Sequence, residues 1–187
     1  MTAVVSLLRG VNVGGHHKIG MDALRGLYGS LGLQDVQTYI QSGNVVFTTE
    51  ERKLPPLAGR ISAAIERAFG FRPDVVLRTA NELREVVAGN PFATRPAIDP
   101  SKLHVMFLAG DLSAEARKKV LEITTDPEEL RAGSRHLYIY YPNGAGRAKL
   151  SMALVERTLR TPATGRNWNT VVKLLAMAEA METSARS

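Results

Sequence analysis

Val36-Gln37-Thr38-Tyr39-Ile40-Gln41-Ser42-Gly43-Asn44-Val45-Val46-Phe47 reads as two β-rich runs around a polar turn. β-Branched and aromatic residues dominate Val36–Gln41 and Val45–Phe47, and Ser42-Gly43 supplies turn chemistry between them, so the stretch predicts a hairpin. Upstream, Val4–Arg9 is a short apolar run that predicts a buried strand. Met21, Leu24, Leu27, Tyr28 and Leu31 then recur at helical spacing up to a stop at Gly32. Downstream, Pro55 and Pro56 open a second helix with Ile61, Ala64, Ile65, Ala68 and Phe69 on one side, and Asp74–Arg78 is a fourth strand. The order βαββαβ is the split βαβ, or ferredoxin-like, pattern.

Thr79 and Glu82 predict a capping box for a short helix that Gly89-Asn90-Pro91 ends. Pro91–Pro100 holds three prolines and is the expected linker. The order then begins again. Leu103–Leu108 predicts a strand, Ser113 caps a helix with Val120 and Leu121 facing inward, and Glu129–Arg131 with His136–Tyr141 makes a second hairpin. Residues 149–158 and 168–182 read as helices, the latter with Val171, Leu174, Leu175 and Ala178 on one face. The expected fold is α+β: two ferredoxin-like βαββα-type halves with mostly antiparallel sheets and C-terminal helices. The expected division is 1–95 and 96–187, the second half carrying the extra C-terminal helix. No residue-level repeat accompanies the repeated order.

The chain has 187 residues, 44% of them hydrophobic, enough to build a core. It has no cysteine, which excludes disulfides and thiolate chemistry. No apolar run approaches the roughly 18 residues of a membrane span. The N-terminal apolar run lacks a preceding basic region and reads as a strand, not a signal peptide, so a cytoplasmic protein with no membrane partner is expected. The net charge of +6 is uneven: residues 131–173 hold eight basic side chains against one acid, Glu156, and are therefore +7. An excess of that size points to an anionic partner.

In a split βαβ sheet the first two strands run the same way and end at one edge, where the first helix also begins. This brings together the loop Arg9–Lys18, with Gly14 and Gly15, and the turn Gln41-Ser42-Gly43-Asn44. Glycines let a backbone approach an anion, a helix start adds partial positive charge, and Arg9 and Lys18 add full charges. Asn12, Gln41, Ser42 and Asn44 supply orienting hydrogen bonds. The glycine spacing fits neither the phosphate loop nor the dinucleotide fingerprint, since His16 follows Gly15 where a phosphate loop has lysine. A second candidate cluster is Arg166-Asn167-Trp168-Asn169, where Asn167 or Asn169 can cap the last helix.

Three segments carry a family resemblance: Leu8-Arg9-Gly10-Val11-Asn12-Val13-Gly14-Gly15, Tyr39-Ile40-Gln41-Ser42-Gly43-Asn44-Val45-Val46-Phe47 and Arg166-Asn167-Trp168-Asn169-Thr170-Val171. In this order they resemble the domain of unknown function 1697 family over nearly the whole chain. His16-His17 departs from the small or polar residues common at that point. The resemblance implies a bacterial, cytoplasmic protein with an α+β fold of two similar parts, and it supplies no reaction or ligand.

His16, His17, His104 and His136 are joined by no carboxylate or cysteine cluster of metal-ligand spacing, so no metal site is expected. Ser42 with His16 or His17 and Asp22 has the residue types of a nucleophile, base and orienter, but a hairpin serine is ordinarily a turn former. The sequence names no cofactor and no reaction. The leading expectation is a small phosphate- or carboxylate-bearing ligand at the loop after the first strand. The alternatives are weak nucleic-acid binding through 131–173, with Tyr138 and Tyr140 as stacking surfaces, or a non-catalytic interaction module.

Overall fold

The computed structural model describes residues 1–123 and 125–184. They form two compact units, one of Met1–Arg84 with the chain from Lys173 onward, the other of Glu85–Val172. This differs from the expected division at 95. The helix after the fourth strand straddles the boundary, Pro91–Pro100 belongs wholly to the second unit, and the last helix runs from the second unit into the first.

In the first unit β1 (Thr2–Leu8), α1 (Met21–Ser30), β2 (Gln34–Tyr39), β3 (Asn44–Thr49), α2 (Leu54–Phe69) and β4 (Val75–Thr79) follow in order. The antiparallel sheet has the order β2-β3-β1-β4, the split βαβ adjacency. β1 is central, and Ala3–Leu8 is buried on both faces with Ser6 its one polar side chain. Val4 and Leu8 join Val45, Phe47 and Leu77 against Leu24, Tyr28, Leu57, Ile61 and Ile65. Ala3, Val5 and Leu7 of the opposite face are equally buried. Ser6 and Tyr28 satisfy each other across the core at 2.7 Å, and burial drives the Tyr28 phenol well above its usual pKa. The expected capping box forms: Thr79 N–H donates to Glu82 (2.8 Å) and Glu82 N–H to the Thr79 hydroxyl (3.1 Å), which opens α3 (Ala80–Ala88).

The second unit repeats the plan with β5 (Leu103–Leu108), α4 (Ala114–Leu121), β6 (Glu129–Ala132), β7 (His136–Tyr140), α5 (Met152–Leu159) and β8 (Ala163–Asn167), ordered β6-β7-β5-β8. α6 (Trp168–Ser184) follows directly. One face of this sheet packs Met106, Leu108, Leu137 and Ile139 with Val120, Val155 and Leu159. Ser113 caps α4 as expected, its hydroxyl accepting from Ala116 N–H at 3.1 Å.

β8 was not expected. Ala163-Thr164-Gly165-Arg166-Asn167 has no apolar run, and its pairing with β5 alone makes it a strand. It also carries an echo of the first unit. Arg78 pairs with Val5 and Arg166 with Val105, each on the fourth strand of its unit opposite the residue fourth from the end of the central one. Both guanidinium groups are buried, and each donates to the carbonyl of its preceding residue, Leu77 at 2.8 Å and Gly165 at 2.9 Å.

His104 lies edge-on to Tyr141, 5.3 Å between ring centroids, and burial pushes its pKa below the usual value, weakly opposed by the Lys102 backbone. The unfolded chain therefore binds more protons at this residue as pH falls below about 6.5, and its stabilising contribution is lost in that direction. His104→Phe is expected to reduce the drop in melting temperature between pH about 7.5 and about 5, measured by thermal unfolding of both proteins.

Candidate functional site

Local backbone chemistry shapes the loop after β1. Val13 and His16 pair across Gly14-Gly15, whose φ angles of 58° and 80° make a two-residue turn of the primed kind. Asn12 N–H donates to His17 C=O at 3.2 Å and closes the base of this small hairpin. Asn12 has φ 56° itself, which asparagine tolerates. Its side chain does most of the joining. Nδ2 donates to the carbonyls of Ile19 (3.0 Å) and Gln41 (2.9 Å), and Oδ1 accepts from Ile19 N–H (2.9 Å). One amide thus ties the glycine loop, the segment entering α1 and the β2–β3 turn.

Apolar contact supports the same junction. Val11 is buried beneath the loop. Gly43, at φ 72°, lies so close that an added Cβ would sit 2.8 Å from Leu8 Cβ and 3.2 Å from Val11 Cβ. Leu8 N–H donates to Gly43 C=O at 2.9 Å. Asn44 is fully buried, with Nδ2 donating to Tyr39 C=O at 3.1 Å. The topology therefore brings Arg9, Asn12, Gly14, Gly15, Lys18, Gln41, Ser42, Gly43 and Asn44 to one edge. Asn12 and Asn44 spend their side chains inside the protein, while Arg9, Gly14, Gly15, Lys18 and Gln41 are exposed.

Arg9 is half-exposed and pairs with Asp74 at 3.3 Å, a contact worth about 0–1 kcal/mol in water and open to competition from another anion. Asp74, which the sequence marks only as the start of the fourth strand, comes beside Arg9 through the β1–β4 pairing Leu8↔Val75. Among the described residues Lys18 has no ion-pair partner. Gly20 offers no side-chain cap, which leaves the first N–H groups of α1 free, while Asp22 in the first turn adds negative charge that Arg25 balances. His17 stacks on Phe71 with centroids 4.2 Å apart, its Nδ1 3.3 Å from Gly10 C=O. Asp22 and His17 thus take other partners. Among the described residues no group of three His, Asp or Glu side chains is placed to hold a metal ion.

The second cluster belongs to the other unit. Arg166 is buried on β8, donating to Thr164 Oγ1 (2.7 Å) and Gly165 C=O, and desolvation lowers its pKa to about 10. Asn167 caps α6 as expected: Oδ1 accepts from Asn169 N–H at 3.0 Å, and Nδ2 donates to Ser101 C=O at 2.7 Å. Trp168 is half-buried and Asn169 exposed.

The excess charge of 131–173 is partly met from outside the segment. Arg131 pairs with Glu129 and Arg135 with Asp111, both at 3.3 Å. The Arg147 side chain lies outside those described. Tyr138 and Tyr140 are core residues, 3% and 8% exposed, so neither ring offers a stacking face. Tyr138 donates to Val86 C=O at 2.7 Å, and burial raises its pKa to about 12.

A family model described as protein of unknown function (DUF1697) matches residues 1–138. The chain belongs to this family. The match includes both loop motifs of the candidate site, whereas the Arg166–Val171 motif lies beyond it. The DUF1697 chain is similar in fold to the conserved bacterial protein SP0830 from Streptococcus pneumoniae, at 24% identity over 95% of this chain and 98% of that one, with a TM-score of 0.76. No curated protein matches it. No helix among the described residues of this DUF1697 member is long and apolar enough to cross a membrane.

Asn12→Ala leaves the buried Ile19 peptide groups without their partners. It is expected to cost about 1–3 kcal/mol, read as a lower urea midpoint at unchanged slope.

Proposed function

We propose that the edge formed by the Arg9–Lys18 loop and the Gln41–Asn44 turn binds a small phosphate- or carboxylate-bearing ligand. The observation that carries this reading is the Asn12 clamp, which fixes an exposed glycine turn and the cations Arg9 and Lys18 on one rigid junction. A charged side chain on a pre-shaped loop loses little conformational freedom when an anion arrives. Gly14 and Gly15 leave backbone accessible beside those charges. The ligand set excludes Arg166, which is buried and bonded within its own strand.

The nucleic-acid reading is less well supported. With Tyr138 and Tyr140 in the core and Arg131 and Arg135 paired, it keeps only exposed cations such as Arg157 and Arg160, without a base-stacking surface.

Inorganic phosphate is expected to raise the melting temperature, by about 3 °C when present at roughly tenfold its dissociation constant. Lys18→Ala is expected to abolish that shift while leaving the ligand-free melting temperature unchanged, because Lys18 is exposed and has no ion-pair partner among the described residues. Thermal-shift titration of both proteins at low ionic strength decides the matter. A shift that survives Lys18→Ala places the anion elsewhere.

A further inference from the structure

Ile40 breaks a local rule. It sits in the β2–β3 turn at φ 48°, a left-handed conformation that β-branched residues avoid because Cβ crowds the following carbonyl. Its flanking carbonyls are both gripped by asparagine side chains, Tyr39 C=O by Asn44 and Gln41 C=O by Asn12. The surroundings therefore impose the conformation. Interior packing does not explain the isoleucine, since the residue is 50% exposed. Asparagine or glycine would fit this backbone with less strain.

A second exposed aliphatic residue belongs to the same junction. Val13, 62% exposed, precedes the Gly14-Gly15 turn. Val13 follows Asn12 and Ile40 precedes Gln41, so each is the chain neighbour of one partner in the Asn12–Gln41 hydrogen bond. Two solvent-facing β-branched residues thus flank the point where the loops are joined, on the sheet edge whose loop also carries Arg9 and Lys18. Strain held by surrounding structure and an apolar side chain kept in water are both costs to the free protein, and a contact made only on binding accounts for them together.

We infer that Ile40 and Val13 receive the apolar body of the ligand while Lys18 and Arg9 take its anionic group. The ligand class is then a monoester or acid in which an aromatic or aliphatic group is joined directly to the phosphate or carboxylate. This rests on the anion-binding reading of the same edge and narrows it.

The test compares phenyl phosphate with methyl phosphate, monoesters of similar charge, by calorimetric or NMR titration. The wild-type protein is expected to bind the phenyl ester about tenfold more tightly, the scale set by covering two half-exposed aliphatic side chains. Ile40→Asn is expected to bring that ratio to about one with methyl phosphate affinity retained, and to leave the melting temperature unchanged or higher because asparagine accepts the left-handed backbone. Val13→Ser is expected to lower the ratio in the same direction, and Lys18→Ala to weaken both esters alike. Equal wild-type affinities, or a ratio that both Ile40→Asn and Val13→Ser leave intact, overturn the inference while the anion site stands. A lower melting temperature in Ile40→Asn marks Ile40 as a packing residue and overturns it as well. Binding of neither ester removes the anion site itself.

Discussion

Asn12 uses both ends of its side-chain amide inside the protein. Three hydrogen bonds from one residue hold a glycine turn, the entry to α1 and the β2–β3 turn in fixed relation. Without them the Arg9–Lys18 segment would lose its side-chain ties to the entry of α1 and to the β2–β3 turn. The bonds are local to a sheet edge, but they depend on the sheet. Only the split βαβ adjacency ends β1 and β2 on the same side, and only a bare Cα at Gly43 lets the turn approach Leu8 and Val11.

The strands of both units were legible where residues are apolar and β-branched. β1, β3, β5 and β7 are central or next to central, buried on both faces, and their sequences say so. β8 was illegible because an edge strand of Ala, Thr, Gly, Arg and Asn carries no hydrophobic period, and its pairing with β5 is a tertiary fact. The same gap hid the setting of Arg166, which read as a candidate binding residue beside a helix start and is a buried strand residue. Helix caps fared better because their chemistry is local: Ser113, Asn167 and the Thr79–Glu82 pair each bond as their residue types predict.

At the candidate site, sequence placed the loops together but not the roles within them. Asn12 and Asn44 read as ligand donors and act as internal braces, since an asparagine's donors look the same whether they face outward or inward. Asp74 was invisible as the partner of Arg9 because the two are distant in the chain. The +7 segment illustrates the limit of counting charge along a window. Glu129 and Asp111 lie outside it in sequence and beside its arginines in space.

The short hairpin Val13–His16 hangs from a base that Asn12 and His17 close. Everything that positions the junction lies at or below that base, and the tip contributes nothing to it. Residues added between Asn12 and His17 would therefore lengthen the tip without displacing Arg9 or Lys18.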